Sequence, residues 1–360
     1  MRTLLALLAG LNLFLGSSLM ASPQVAIRFD PGFLYDSQTS HTDLARKIDE
    51  NFEYWKFQKV SRVYILFNNP VYGAFFASKI PAQPSENNFS KSELLKKLVT
   101  RLRKNKIEVY AWFYPLRAKH VWQEFSDWRA PYCSGPNEFL LDAQNEQVRR
   151  WYLGLVAETI NHYPRLNGID IAEPLSAQNC APAELHRTQA LTRLILDISK
   201  MAKQRHLGMS LTPNIPVHTN GNLWGFQEFE NSFGVDLYAL LKKIHWNVFL
   251  PQLNFQEWPQ NKSHQVAFDP GWADRALTSL KKNLKQKKLG ATRMGIHLEF
   301  VDLKTKDLIG LRNSLQNHLL GQNFWGTDFY DSHLAIEMKV NLQWWSQKNH
   351  SQRYSSKTKF

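Results

Sequence analysis

Eight times along this chain a short apolar run, rich in β-branched and aromatic residues, gives way to a segment of helical period, and few folds accommodate that alternation. The first run is Val25–Asp30 (VAIRFD), followed by a helix over Thr42–Gln58 with Ile48, Phe52 and Trp55 on one face. Arg62–Asn69 (RVYILFNN) reads as the second strand. Ser90-Lys91-Ser92-Glu93 then has capping-box spacing ahead of a helix through Leu94, Leu95, Leu98, Val99 and Leu102. Ile107–Tyr114 is the third strand; a long loop, Pro115–Gln144, separates it from an amphipathic helix over Glu146–Tyr163. Leu166–Pro174 (LNGIDIAEP) is the fourth strand, with a helix through Leu191, Leu194, Ile195, Ile198 and Met201. Gly208–Asn214 is the fifth, and a Gly/Asn-rich loop leads from it to a helix over Val235–Ile244. Trp246–Asn254 with helix Trp272–Lys287 is the sixth unit, and Arg293–Phe300 with a helix through Leu308, Leu311, Leu315 and Leu319 the seventh. Phe324–Tyr330 and Leu334–Trp345 complete the eighth.

Eight strand–helix units predict an α/β chain folded as a single (β/α)8 TIM barrel with long βα loops. The competing architecture, a doubly wound open sheet, would usually carry a Gly-rich phosphate loop after its first strand, and RFDPGF is not one. The barrel is expected over residues 22–345, with a basic polar tail at 346–360. Residues 1–21 read as a signal peptide: Arg2 is the charged start, Leu4–Leu15 the apolar core, and Leu19-Met20-Ala21 the cleavage site. The apolar run is too short to span a bilayer, so the expectation is an exported protein, periplasmic or extracellular, without a transmembrane anchor. The formal net charge of +13 favours electrostatic contact with anionic envelope components. Nucleic acid is not an expected partner, because the basic residues are scattered and no binding motif accompanies them.

In such barrels chemistry sits at the C-terminal ends of the strands. Those ends carry Asp30, Asn68 and Asn69, Trp112 and Tyr114, Asp170 and Glu173, Thr212 and Asn214, Gln252 and Asn254, His297 and Glu299, and Asp328, Tyr330 and Asp331. Carboxylates can act as acid, base or nucleophile, amides bond sugar hydroxyls, and aromatic faces stack on pyranose rings; this set suits carbohydrate rather than phosphate. No HExxH or HxxxH element points to a metal, no GxSxG elbow to a serine nucleophile, and no cofactor is implied. Glu173, Glu299 and Asp30 are the candidate catalytic carboxylates. Trp112, Tyr114, Asn69, Asp170, Asn214, Asn254, Asp328, Tyr330 and Trp258 are candidate substrate contacts, and Trp122, Trp128, Trp224 and Trp325 are further stacking candidates. Strict alternation puts Asp170 and Glu173 on opposite faces, so both serve one site only if Glu173 has already left the strand, as Pro174 suggests. Cys133 and Cys180, in the loops after strands three and four, are a candidate disulfide; a pair of free thiols is the alternative.

Ala172-Glu173-Pro174 resembles the Asn-Glu-Pro acid/base setting on strand four of many retaining barrel glycosidases, with Ala in place of Asn. NGIDIAEP also resembles the chitinase-type D-G-x-D-x-D-x-E strand, matching it only at Asp170 among the acids. A broader resemblance covers nearly the whole chain after the leader. It is to the glycoside-hydrolase-like barrel at the C-terminus of periplasmic poly-N-acetylglucosamine deacetylase/export proteins. Asp30 with Tyr35-Asp36 is similar to that family's D…YD first strand, Val63-Tyr64 to its second, and Tyr110-Ala111-Trp112 to its YAW third strand. Gly168-Ile169…Glu173 resembles its G-I-x-x-x-D-D fourth strand, with Glu173-Pro174 replacing the paired Asp residues, and Trp246 and Gly326 begin similar late strands. The resemblance implies hydrolysis of a polysaccharide containing N-acetylglucosamine or glucosamine. It implies Glu173 as the acid, Asp30 as a substrate-binding or catalytic acid, and Trp112 as a sugar platform. Glu299 has no counterpart in it and rests on its strand-end position.

Three functions compete. The first is an exported glycoside hydrolase, the second a glycan-binding barrel without turnover, and the third a basic envelope protein that uses the barrel only as an interaction surface. A partly deacetylated glucosamine polymer is cationic, so a protein of net positive charge needs a locally acidic groove to hold it, and the strand ends are acidic.

Overall fold

The computed structural model describes residues 24–34, 40–57, 60–80, 93–130, 139–174, 185–214, 225–250, 252–254, 271–287, 289, 293–294, 296–299 and 324–328. The expected leader, the tail, both cysteines, and the helices expected through Leu308–Leu319 and Leu334–Trp345 lie outside these residues. Among the described residues no helix is long and apolar enough to cross a membrane.

All eight expected strands are present. They are β1 (Gln24–Phe29), β2 (Arg62–Ile65), β3 (Glu108–Phe113), β4 (Gly168–Ala172), β5 (Gly208–Thr212), β6 (Val248–Phe249 continued by Gln252–Asn254), β7 (Arg293–Met294 continued by Ile296–Glu299) and β8 (Phe324–Asp328). Every pairing among them is parallel. The sheet has no edge: β8 pairs with β1, and the two halves of β6 each pair with the corresponding half of β7.

The register shows how the barrel closes. Arg28 is level with Tyr64, Tyr110, Gly168 and Gly208 in one direction round the sheet, and with Asp328, Glu299 and Asn254 in the other. Ser210 is level with Val248, so Gly208 is level with Trp246, two residues ahead of β6 and eight residues before Asn254. A stagger of about eight over eight strands is the shear of a TIM barrel. The fold is therefore a (β/α)8 barrel.

Strand alternation sorts the side chains into two cores. On β3, Val109, Ala111 and Phe113 join the layer between sheet and helices, whereas Tyr110 and Trp112 join Ala26, Tyr64, Leu66, Ala172, Val248 and Leu250 inside the barrel. The helices supply the other half of the outer layer: α1 (His41–Phe57) buries Leu44, Ile48, Phe52 and Trp55, and α2 (Leu94–Lys104) buries Leu94, Leu95, Leu98, Val99 and Leu102. Beyond α3 (Lys119–Glu124) come α4 (Glu146–His162), capped by Asn145, and α5 (Leu185–Gln204). At the base of the interior the ring of Tyr110 lies against Gly168 and Gly208, where side chains would leave it no room: a Cβ on Gly168 would come 2.3 Å from Tyr110 Cε1 and 2.5 Å from Gly208 O.

Four local expectations are corrected. The second strand does not run on to Asn69: its parallel ladder ends at Ile65, and Asn68–Asn69 instead pairs antiparallel with Gly73–Ala74. Pro70 has no N–H to donate, Asn69 Oδ1 accepts the amides of Val71 (2.8 Å) and Tyr72 (3.1 Å), and Gly73 takes φ 82°, so the chain folds back into a tight hairpin. Glu93 is the residue preceding α2 rather than a member of its first turn, and its side chain makes no cap hydrogen bond; Ser90, the other member of the expected capping box, lies outside the described residues. The Gly/Asn-rich loop before the helix at Val235–Ile244 contains a helix of its own, α6 (Phe226–Phe233), ended by Gly234 at φ 62°. The following helix, α7 (Leu237–Lys243), is shorter than expected because Asp236 caps it through the Ala239 amide. The last described helix is α8 (Gly271–Gln286).

Candidate active site

The deepest polar feature is an ion pair inside the barrel. Arg28 Nη2 donates to Asp170 Oδ2 at 2.8 Å, with side chains 1% and 0% exposed. Asp170 Oδ1 accepts from Thr212 Oγ1 at 2.9 Å, and the guanidinium lies 4.4 Å from the centre of the Trp112 ring. A charge placed there without its partner would be costly to bury, so the three strands that carry Arg28, Asp170 and Thr212 are held to one register. One layer lower, Arg62 bonds Glu108 and the phenol of Tyr64, which itself lies 3.4 Å from Ser210 Oγ. Burial, the largest influence on it, pushes the Tyr64 phenol up.

Glu173 occupies the mouth. It stands just beyond β4, its amide still bonds Thr212 O at 2.8 Å, and its φ is 41°. That left-handed turn at a non-glycine residue takes Glu173 out of the strand alternation and away from the face that carries Asp170. Arg117 Nη1 donates to Glu173 Oε2 at 3.3 Å, and each side chain is 18% exposed. Arg117 is placed by the loop after β3. Leu116 is buried at φ 61° and its carbonyl accepts the Leu141 amide, while Arg117 bridges antiparallel to Leu140.

A second polar unit lies at the ends of β1 and β2. Asp30 Oδ1 accepts the Gly32 amide at 2.7 Å and Asp30 Oδ2 accepts Asn69 Nδ2 at 2.8 Å. The hairpin that carries Asn69 is anchored to the start of α3: the Lys119 amide donates to Pro70 O, and His120 Nε2 lies 2.8 Å from Val71 O.

The other expected contacts fall as follows. Trp112 is 2% exposed, with Arg28 against it and Tyr114 at 5.0 Å between ring centres. Trp122 is covered by the Arg129 guanidinium at 4.1 Å, and Trp128 stacks on Phe125 at 4.6 Å. Asn214 is half-buried two positions past β5. Asn254, Glu299 and Asp328 form one rung with Arg28 on adjacent strands. Trp224, Trp258 and Tyr330 lie outside the described residues. Among the described residues no group of three or more His, Cys, Asp or Glu side chains could hold a metal ion. Two partners escaped the sequence reading. Arg28 could have been flagged as a lone cation within an apolar strand. Arg117 carries no local signal, because its meaning comes only from Glu173 at the end of the neighbouring strand.

No protein-family model and no curated protein sequence matches the chain. Solved structures do. A β-glucosidase from Thermotoga maritima in complex with castanospermine is similar at TM-score 0.54 and 8% identity, over 85% of this chain and 88% of that one. A family 1 β-glucosidase from Thermotoga maritima is similar at TM-score 0.52 and 8% identity over the same shares of the two chains. A Thermotoga maritima β-glucosidase in complex with galacto-hydroximolactam is similar at TM-score 0.51 and 9% identity, over 79% of this chain and 77% of that one. At these identities the likeness is one of fold.

Proposed function

We propose that the chain is an exported glycoside hydrolase in which Glu173 is the general acid. The observation that carries this reading is the placement of Glu173: a partly exposed carboxylate at the C-terminal mouth of a (β/α)8 barrel, turned out of its strand by a left-handed backbone. Arg117 fixes Oε2, which leaves proton donation to Oε1. The second carboxylate is Asp30 or Glu299; retention would require it about 5 Å from Glu173, and inversion roughly 6.5–9.5 Å. The β-glucosidases that share the fold make glycosidic bonds the natural target class. The resemblance to the poly-N-acetylglucosamine deacetylase/export barrels narrows the substrate to a polymer of N-acetylglucosamine or glucosamine met outside the cytoplasm. Asn214, Asn254, Asp328, Tyr330 and Trp258 are its proposed contacts. The net positive charge would bring the enzyme to anionic envelope components.

A glycan-binding barrel without turnover is the second reading, favoured by the Arg117–Glu173 ion pair and by Ala172 and Pro174 in place of the glycosidase amide and the second acid. A panel of β-1,4- and β-1,6-linked N-acetylglucosamine and glucosamine oligomers separates the two. Hydrolysis by the unaltered protein that vanishes in Glu173→Gln, with binding retained, supports the enzyme. Binding by both proteins with no shortened product from either leaves the binding barrel.

A further inference from the structure

Gly32 marks a point where three unlike groups converge. A Cβ at that position would stand 2.9 Å from Asp30 Oδ1, 2.9 Å from Tyr72 Cδ2 and 3.1 Å from Asn69 Nδ2. The carboxylate is oriented through both oxygens, by the Gly32 amide and the Asn69 side chain. Tyr72 beside it is 43% exposed, although large aromatic side chains are mostly buried in this barrel. Its backbone is nonetheless fixed: its amide bonds Asn69 Oδ1, and the hairpin is held by Lys119 and His120. Asn69 thus connects the two, giving its Nδ2 to Asp30 and its Oδ1 to the turn that carries Tyr72.

We infer that Asp30, Asn69 and Tyr72 form a sugar-binding subsite at the ends of β1 and β2, with the Tyr72 ring as its stacking platform and Asn69 as the positioning residue. This rests on the glycan reading of the same mouth. A pyranose has an apolar face of C–H groups and a rim of hydroxyls. A half-exposed ring takes the face, and a carboxylate of fixed orientation takes hydroxyl donors on the rim. Trp112, enclosed by Arg28 and Tyr114, belongs to the wall beneath. A rigid aromatic costs little side-chain entropy when it binds, which suits a platform better than a flexible loop residue would.

The test is calorimetry and kinetics with β-1,6- and β-1,4-linked N-acetylglucosamine hexamers. Tyr72→Ala should weaken binding of the preferred hexamer about tenfold, roughly one decade of Kd. It should raise KM by a similar factor while leaving kcat within about threefold, and Tyr72→Trp should bind within about threefold of the unaltered protein. Asn69→Ala should lose affinity even with the tyrosine present, and Asn69→Asp should not restore it, because a second carboxylate cannot donate to Asp30. Unchanged affinity in Tyr72→Ala overturns the subsite, and so does failure of the unaltered protein to bind either hexamer. Tyr72-dependent binding without hydrolysis by the unaltered protein supports the subsite while defeating the catalytic role of Glu173. Hydrolysis that depends on Glu173 with KM unmoved in Tyr72→Ala does the reverse.

Discussion

Asp170 and Glu173 stand three residues apart and face opposite demands. Asp170 is enclosed, paired with Arg28 and bonded by Thr212, so its charge is satisfied within the fold. Glu173 is turned to the mouth, where a charge or a proton is accessible to a ligand. The difference predicts different mutant behaviour. Asp170→Ala should destabilise the barrel by about 3–5 kcal/mol, read from urea unfolding, because it breaks a buried ion pair and leaves Arg28 and Thr212 without the carboxylate they bond. Adding Arg28→Met should recover a good part of that loss, since an apolar side chain in place of the guanidinium no longer needs the Asp170 carboxylate. A cost below about 1 kcal/mol for Asp170→Ala would show that the pair does not hold the strands together. Glu173→Gln should leave the unfolding midpoint nearly unchanged, as expected of a partly exposed ion pair.

At the scale of elements, β4 depends on having no side chain at its first position. Gly168→Ala would push a Cβ into the Tyr110 ring and the Gly208 carbonyl, backbone that cannot yield cheaply. A loss of about 1–3 kcal/mol or more is expected by thermal unfolding, and a neutral result would mean that the base of the barrel can spread. The helix ends give a smaller and separate test: Asn145→Ala removes the acceptor for the Gln147 and Val148 amides and should cost about 1 kcal/mol. The strands were legible in the sequence because each is a compact β-branched and aromatic run whose alternation repeats eight times. The β2 hairpin was hidden inside such a run, since RVYILFNN stays apolar through Phe67, past the end of the parallel ladder at Ile65, before Pro70 and Gly73 turn the chain. Helix α6 was hidden because Asn and Gly in its surroundings weigh against helix, whereas packing of Phe229 in the core favours it. The candidate site was half legible. Strand counting put Asp30 and Glu173 just past the C-terminal ends of β1 and β4, where the structure has them, but the Arg28–Asp170 pair spans 142 residues and the Arg117–Glu173 pair 56, and no local pattern encodes either. Tyr72 gave no signal at all, because exposure is a property of the folded hairpin.

The whole molecule should fail in alkali in a characteristic way. Burial, the largest influence in each case, pushes up the phenols of Tyr54, Tyr64, Tyr152 and Tyr163. In the unfolded chain these groups ionise near pH 10, so above that pH the unfolded state binds fewer protons than the folded one and the stability falls as pH rises. The contribution is fully present below about pH 10. A tyrosinate absorbance titration should therefore show these side chains silent until the barrel unfolds and then titrating together; smooth ionisation of every tyrosine with the fold intact would contradict their burial. The proposed function is tested at the same scale, because as a general acid Glu173 would act only if eight strands and their loops bring a glycosidic oxygen to it. A general acid matters when the leaving group is poor and is dispensable when it is good. The decisive measurement is the rate of Glu173→Gln on an oligosaccharide and on the dinitrophenyl glycoside of the sugar that the unaltered protein releases. A loss of about 10²–10⁴ on the oligosaccharide, with most of the rate retained on the dinitrophenyl glycoside, is the predicted result. Equal losses on both substrates, or no loss on the oligosaccharide, would contradict the assignment of Glu173 as the acid.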